Sequence, residues 1–597
     1  MIARIRDSRI DRIGPRVARG SVISAIEYLT TFGYGGSPGN PDDFGWPPIG
    51  GNCRLDWRGD DGAAPTVGPA LSVGSSLPIV QKSPFYAPDG TNLPAAYFDS
   101  TKYLYDPAAP ILPTDTEDLV LITLATRLAN TNKCVLGLGS GGNYIHILQY
   151  SSVLFSQSND GVSTNLFTTN FPCGWAIMLH VLDRGAGEIR SYGNGGASSG
   201  NPGPEKFFAQ TGQVAIGATS TAASKWHGLI ARALIYTGVG IAAGIDATFA
   251  GHLSALIYGI VPNDSARNVR YSRNGHLVSH TSDGVFSLGY KAPPIHDTDG
   301  IYLPESSITK AYKNANLVAG DSAILSATGG MVISDVALDL TTYGLYGISD
   351  RVFQAANSTG STQYVYYGAT VGAAQNDHSC SVRAHHTAGT GAKVGCYCAA
   401  AFNSAANVSD NFVRSHGIVS PLTAIKQWAI EIPDGATVQF ILPNFVERDF
   451  QSPEVINQAT AATATAGNPA VMHGYNLSDI KGLLEAEIAP EGWSAGEEAS
   501  SEGVFTAIGG GGQHMLMRNG LQVVSIKDGT NEAKVAIAEV DGVYQIPQVS
   551  WGPKGLQAKL GALSDSDPYD GTIGQGEATT EESNRRIRYT KMAETEI

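Results

Sequence analysis

From about residue 84 onward the chain is a succession of short apolar runs with period-two alternation, broken at close intervals by Gly, Asn, Asp and Ser. Period two sends successive side chains to opposite faces of a strand, so this texture predicts short strands and tight turns, as in a β-sandwich. Leu119-Val120-Leu121-Ile122-Thr123-Leu124 and Ile145-His146-Ile147-Leu148 are typical runs. One segment has helical period instead. Asp246 is placed to cap a helix in which Phe249, Leu253, Leu256 and Ile257 share a face. That helix closes a first domain near Pro262.

The ends and joints have a different texture. In residues 1–20, Arg4, Arg6, Arg9, Arg12, Arg16 and Arg19 stand against Asp7 and Asp11, which leaves the segment near +4 and the remainder near −19. Ile2, Ile5, Ile10, Ile13 and Val17 recur at loosely helical spacing, so the segment reads either as an amphipathic arm that docks on something acidic or as a frayed terminus. Residues 21–83 contain a Gly/Pro-rich stretch, Gly35 to Gly68, and read as a connector. An Ala/Thr run, Ala459 to Gly467, marks a linker nearer the C-terminus.

An internal repeat suggests duplicated domains. Leu138–Ile147 aligns without gaps on Ile508–Met517, each a strand, a glycine turn and a strand. The hairpin His180 to Gly193 has a counterpart in Gln548 to Gly561. The duplicated units are placed at 84–262 and 463–597. Between them, 263–462 is a third β-rich unit with its own aromatic strand, Tyr364-Val365-Tyr366-Tyr367.

Length and composition narrow the class. The 597 residues are enough for roughly three or four domains. Charged residues make up 16%, against about 25% in an average globular protein, and the net charge is −15. Such a chain is neither a coiled coil nor a basic nucleic-acid binder, because binding to phosphate backbones needs clustered Lys and Arg. The arginines interrupt any secretory core in the first twenty residues, and the most apolar stretch, Ile235 to Val261, is too broken by Asp246 and His252 to span a bilayer. Six cysteines in so long a chain imply reduced, cytosol-assembled protein.

Three groups of residues carry a family resemblance. Pro94-Ala95-Ala96-Tyr97-Phe98-Asp99 with Tyr103-Leu104 and Glu117-Asp118-Leu119-Val120-Leu121 resembles the opening of laminin-G-like, concanavalin-like sandwiches, and Trp226 to Tyr236 is similar to their closing strand. The acidic pair usual in that strand is replaced here by Ala231 and Arg232. Val438 to Glu447 with Ser452-Pro453 resembles the last strand of carbohydrate-binding-module-like jelly rolls of bacteriophage virion proteins, in which a laminin-G-like domain commonly follows. Arg586 to Tyr589 looks like the closing strand of a second such domain. The resemblance implies a virion structural protein of the tail, neck or head.

Side chains with chemical potential are sparse. Retaining glycosidases of the concanavalin-like fold place paired carboxylates on one strand. The nearest acidic spacing, Glu485 and Glu487, reads as the exposed face of a strand. His378, Cys380, His385, His386, Cys396 and Cys398 are of zinc-ligand type, but their spacing is not that of a finger or ribbon, and core packing is the preferred reading. Asp99, Asp106 and Asp183 are oxygen ligands of calcium type, yet turns use aspartate for backbone reasons, and the reading is against a metal. Aromatic platforms for sugar rings are offered by Tyr364, Tyr366 and Trp428, with Tyr367 on the opposite face from the first two.

The resulting expectation is an all-β, non-enzymatic protein without cofactor: a basic anchoring arm at 1–20, a connector at 21–83, a concanavalin-like sandwich at 84–262, a carbohydrate-binding-module-like jelly roll at 263–462 and a second concanavalin-like sandwich at 463–597. Its implied partners are other virion proteins (portal, collar, tail or capsid), further copies of itself in a homo-oligomer, and host-surface carbohydrate. Its implied location is the virion, assembled in the host cytoplasm. A capsule-degrading tailspike-type hydrolase and a free lectin or adhesin are the alternatives.

Overall fold

Strand Asp118–Arg127 is buried along all ten residues, which explains its unbroken apolar run. Leu119, Leu121 and Ala125 face a second sheet, while Val120, Ile122 and Leu124 face helix Ala247–Ile257, so neither side of this strand meets water. The computed structural model describes residues 27–32 and most of 49–597; residues 1–26, 33–48, 198–211, 368–376, 491–504 and shorter stretches lie outside the described residues. The described chain is a tandem of antiparallel β-sandwiches with one α-helix among the described residues. Asp246 caps that helix, its Oδ1 accepting the Phe249 N–H at 2.8 Å. No helix among the described residues is long and apolar enough to cross a membrane.

Two of the sandwiches share a winding. In the first, strands Glu188–Gly193, Ala176–Asp183, Asp118–Arg127 and His227–Gly238 lie side by side in that order. Their counterparts in the second are Leu556–Leu560, Pro547–Trp551, Gly482–Pro490 and Arg585–Ala593, in the same order. The facing sheets match as well: Leu104–Asp106, Gln213–Ile216, Lys133–Ser140 against Ala470–Leu477, Gly576–Thr580, Phe505–Ala507. The repeated hairpins at 180–193 and 548–561 are corresponding pairs of this winding. Most of the 508–517 segment lies outside the described residues.

Sheet membership cuts across the domain limits expected from composition. The 21–83 segment is not a connector, since it supplies four strands. Asn52–Arg58, Ser72–Val73 and Ile79–Gln81 belong to the first sandwich, where Leu55 and Trp57 are fully buried. Glu27–Phe32 belongs to the second, inserted between Ile260–Pro262 and Arg585–Ala593. Arg270–Ser272 and Ile301–Leu303 also join the second sandwich. Within the Ala/Thr run, Ala464–Ala466 pairs with Ser307–Thr309. Short strands among Gly and Pro carry too little periodicity to be recognised locally.

The central unit is a jelly roll. Its eight main strands are, in chain order, Arg351–Ala356, Gln363–Tyr367, His378–Ala388, Lys393–Cys398, Ala401–Asn407, Arg414–Val419, Gln427–Ile432 and Thr437–Val446. They form one sheet in the order first, eighth, third, sixth and another in the order second, seventh, fourth, fifth. Phe353, Val382, Phe440, Val365, Tyr367 and Ile430 fill the space between. The jelly roll meets the first sandwich through His227 Nε2 and Asp350 Oδ2, 2.6 Å apart, and through Asn316 Nδ2, which donates to the Arg127 carbonyl at 3.2 Å.

Three histidines are held neutral inside the sandwiches. Burial pushes His146 and His180 down to about 4, and burial with the Arg267 charge pushes His473 down to about 3. His473 lies between the Thr30 and Thr580 hydroxyls at 3.2 and 2.7 Å. The unfolded chain therefore takes up protons that the native state refuses, and stability present above about pH 6.5 is lost as pH falls toward these values. We expect melting curves between neutrality and pH 4 to show a loss on the order of 1 kcal/mol per pH unit per histidine. H473Q should flatten the acid limb of the second sandwich; an unchanged limb would show that His473 does not contribute.

Candidate functional site

Strand Gln363–Tyr367 alternates buried and half-buried positions, so Val365 and Tyr367 enter the jelly-roll core while Tyr364 and Tyr366 face outward. Tyr397 on the fourth strand and Phe402 on the fifth join them on the same outer face, all half-buried. Adjacent ring centroids are 5.2 Å apart for Tyr366 and Tyr397, 5.4 Å for Tyr397 and Tyr364, and 5.4 Å for Tyr364 and Phe402. The outer pairs are close to parallel, at 12° and 26°.

The floor beneath this array is made of small residues. Tyr366 pairs across the sheet with Ala429, and Ala429 with Gly395. A Cβ at Gly395 would clash with the Asn403 carbonyl oxygen and lie 2.9 Å from Cζ of Phe402, so a larger residue would push away the neighbouring strand and its ring. Polar groups flank the rings. Lys393 Nζ and Glu431 Oε1 form a 3.0 Å ion pair at one end, and Gln427 pairs with Tyr397 at the other. Burial, then the charge of Glu431 and the neighbouring Tyr397, push the Tyr364 phenol up, with Lys393 opposing. Ring faces beside amide, carboxylate, ammonium and hydroxyl groups suit a ligand with apolar C–H faces and many hydroxyls.

Of the aromatic residues expected from the sequence, Tyr364 and Tyr366 stand in this array and Trp428 does not. Trp428 is 1% exposed and packs on Tyr367 and Phe440, with its indole N–H donating to the Ser381 carbonyl at 3.1 Å. It points inward because Gln427, Ala429 and Glu431 take the outer positions of its strand. Tyr397 and Phe402 were missed. The alternation Cys396, Tyr397, Cys398 already places the tyrosine opposite two thiols of core type, which is the signal that finds it.

The other candidates separate. Cys380, Cys396 and Cys398 line the core between the two sheets, with the last two Sγ atoms 3.1 Å apart, and burial pushes the Cys380 thiol up. His385 packs on Tyr343 and Phe412, and His386 Nδ1 lies 2.8 Å from Asp410. Among the described residues no three His, Cys, Asp or Glu side chains form a metal-binding group. Asp99 interacts with Thr101 and Lys102, Asp106 with the Ala108 N–H, and Asp183 with Arg190 and the Ala186 N–H, all within turns or hairpins. Glu485 is buried rather than exposed, and accepts the Tyr589 hydroxyl at 2.9 Å, while Glu487 pairs with Arg588. Arg4, Arg6, Arg9, Arg12, Arg16 and Arg19 lie outside the described residues.

No protein-family model and no curated protein matches the chain. Among solved structures, domain 4 of an extracellular GH43 arabinanase from Geobacillus stearothermophilus, solved with arabinotriose, is 12% identical at a TM-score of 0.27, covering 34% of this chain and 98% of that one. The receptor binding domain of botulinum neurotoxin D is 8% identical at 0.27, covering 53% and 76%. The binding domain of botulinum neurotoxin DC, solved with rat synaptotagmin II, is 9% identical at 0.29, covering 65% and 98%. Fold and site together define a modular all-β protein of three sandwiches, with an aromatic array on the central one.

Proposed function

We propose that this protein is a non-enzymatic adhesion and architectural component of a bacteriophage virion, whose central jelly roll holds a host-surface saccharide against Tyr364, Tyr366, Tyr397 and Phe402. The observation that carries this reading is the outward array of four half-buried rings over the small floor of Gly395 and Ala429, with hydrogen-bonding groups at both ends. Each ring face covered by a sugar contributes through the apolar area it removes from water, at about 25 cal/mol per Å². Weak single sites suit a multi-copy assembly, in which repetition converts them into avidity. The virion setting follows from the resemblance of Val438 to Glu447 to phage jelly rolls, and the arm at 1–20 supplies the anchor in it.

Two measurements test these statements separately. The full chain should bind a subset of host-surface oligosaccharides on an array, and Y364A/Y366A should lose roughly tenfold or more in affinity while staying folded, with a melting temperature lowered by the three ring contacts removed. Equal binding by the double variant would remove the platform. Incorporation into particles stripped of the native copy should require residues 1–20, and equal attachment without them would move the anchor elsewhere.

A further inference from the structure

Strand Ile79–Gln81 ends the eight-stranded sheet of the first sandwich and, among the described residues, is paired on one side only, with Ala95–Tyr97. Edge strands are usually blunted by charge, bulges or cover, because their open backbone groups recruit further strands. Here the edge presents Ile79 and Val80, 58% and 53% exposed. Beside it lies a cleft of about 560 Å³, touched by Ile79, Val80 and Gln81 in succession. Consecutive strand residues point to opposite faces, so a cleft that touches all three reaches the open edge, and Tyr97 and Leu128 continue it from there over the Ile79 face of the sheet.

The opposite wall belongs to the jelly roll. Leu338, Leu340 and Tyr346 make it apolar, and Asp339 and Asp350 make it acidic. On the sandwich side, burial raises the Tyr97 phenol, and the charges of Asp350, Asp99 and Asp339 add to that effect. Lys82 Nζ sits 5.5 Å from the Tyr346 ring centre, so one ring of this wall already receives a cation. We propose that this edge and its cleft form a docking site for an extended basic segment of a partner protein, added to the sheet as a further strand. In strand addition the main chain supplies affinity and alternate side chains supply specificity. Arginine or lysine would meet Asp339 and the Tyr97 ring, and intervening apolar residues would cover Ile79 and Val80. A saccharide lacks the repeating N–H and C=O groups that an open strand edge matches.

The test uses the full chain and a fluorescent peptide of alternating arginine and isoleucine. Binding should weaken about tenfold when alternate peptide nitrogens are methylated, and also when glutamate replaces arginine. I79K/V80K should weaken it by a similar factor, with an unchanged melting temperature because both side chains are exposed. D339N, which keeps a capping side chain for the Thr341 N–H, should weaken it up to about fivefold. Y364A/Y366A should leave it unchanged, which separates this site from the saccharide platform. Equal binding of the methylated peptide, or unchanged binding by I79K/V80K, would overturn the proposal.

Discussion

Removing residues 1–32 should unfold the second sandwich and leave the first folded, whereas removing residues 1–26, which spares every described strand, should leave both folded. Strand Glu27–Phe32 fills the gap between Ile260–Pro262 and Arg585–Ala593, and without it the closing strand of the sandwich has an open edge. Its backbone is held from several directions. Leu29 N–H donates to Asn263 Oδ1 at 2.9 Å, and the Leu29 carbonyl accepts from Asn263 N–H at 2.7 Å and from Arg267 Nη2 at 3.2 Å. Thr30 is fully buried against His473, and Phe32 is 4% exposed among Ile260, Ile301 and Trp551. Each abandoned buried partner costs about 1–3 kcal/mol, and F32A alone should cost about 3–5 kcal/mol. Calorimetry of the two truncations should show loss of one transition only in the shorter chain. Retention of every transition in that chain would mean the strand is dispensable.

Alternation places Tyr364 and Tyr366 outward and Tyr367 inward without any knowledge of the fold, because a strand's two faces are set by its own period. The same rule places Trp428 inward once its polar neighbours Gln427 and Glu431 are weighed above its aromatic identity. Periodicity does not name the sheet a strand joins. Glu27–Phe32 pairs with segments beginning at Ile260 and Arg585, far along the chain, and that choice rests on packing and turn geometry distributed over the whole second sandwich. Burial of charge was hidden for a related reason. Asp56, between Leu55 and Trp57, gives the strand a polar look that vanishes only when its partner is known.

That partner is Arg232, and breaking the pair should be among the costliest single substitutions in the first sandwich. Where the resemblance implies an acidic pair, this chain has Ala231 and Arg232; Ala231 packs in the core beside the helix, and Arg232 reaches across to the strand taken from composition as a connector. The guanidinium donates from Nε and Nη2 to the two oxygens of Asp56 at 2.8 and 2.9 Å, with both side chains under 10% exposed. Two parallel bonds to one carboxylate fix the register of Asn52–Arg58 against His227–Gly238, just beyond the irregularity between Ile230 and Arg232. D56A removes the carboxylate to which Nε and Nη2 donate while the guanidinium stays buried, for which about 3–5 kcal/mol is the usual cost. D56L/R232M removes both charges and fills the volume with apolar atoms, so most of that loss should return. Urea melts of wild type, D56A and the double variant decide between a structural pair and a replaceable one. If the double variant is as unstable as D56A, the directional bonds hold the strand in place; recovery assigns the cost to the stranded charge.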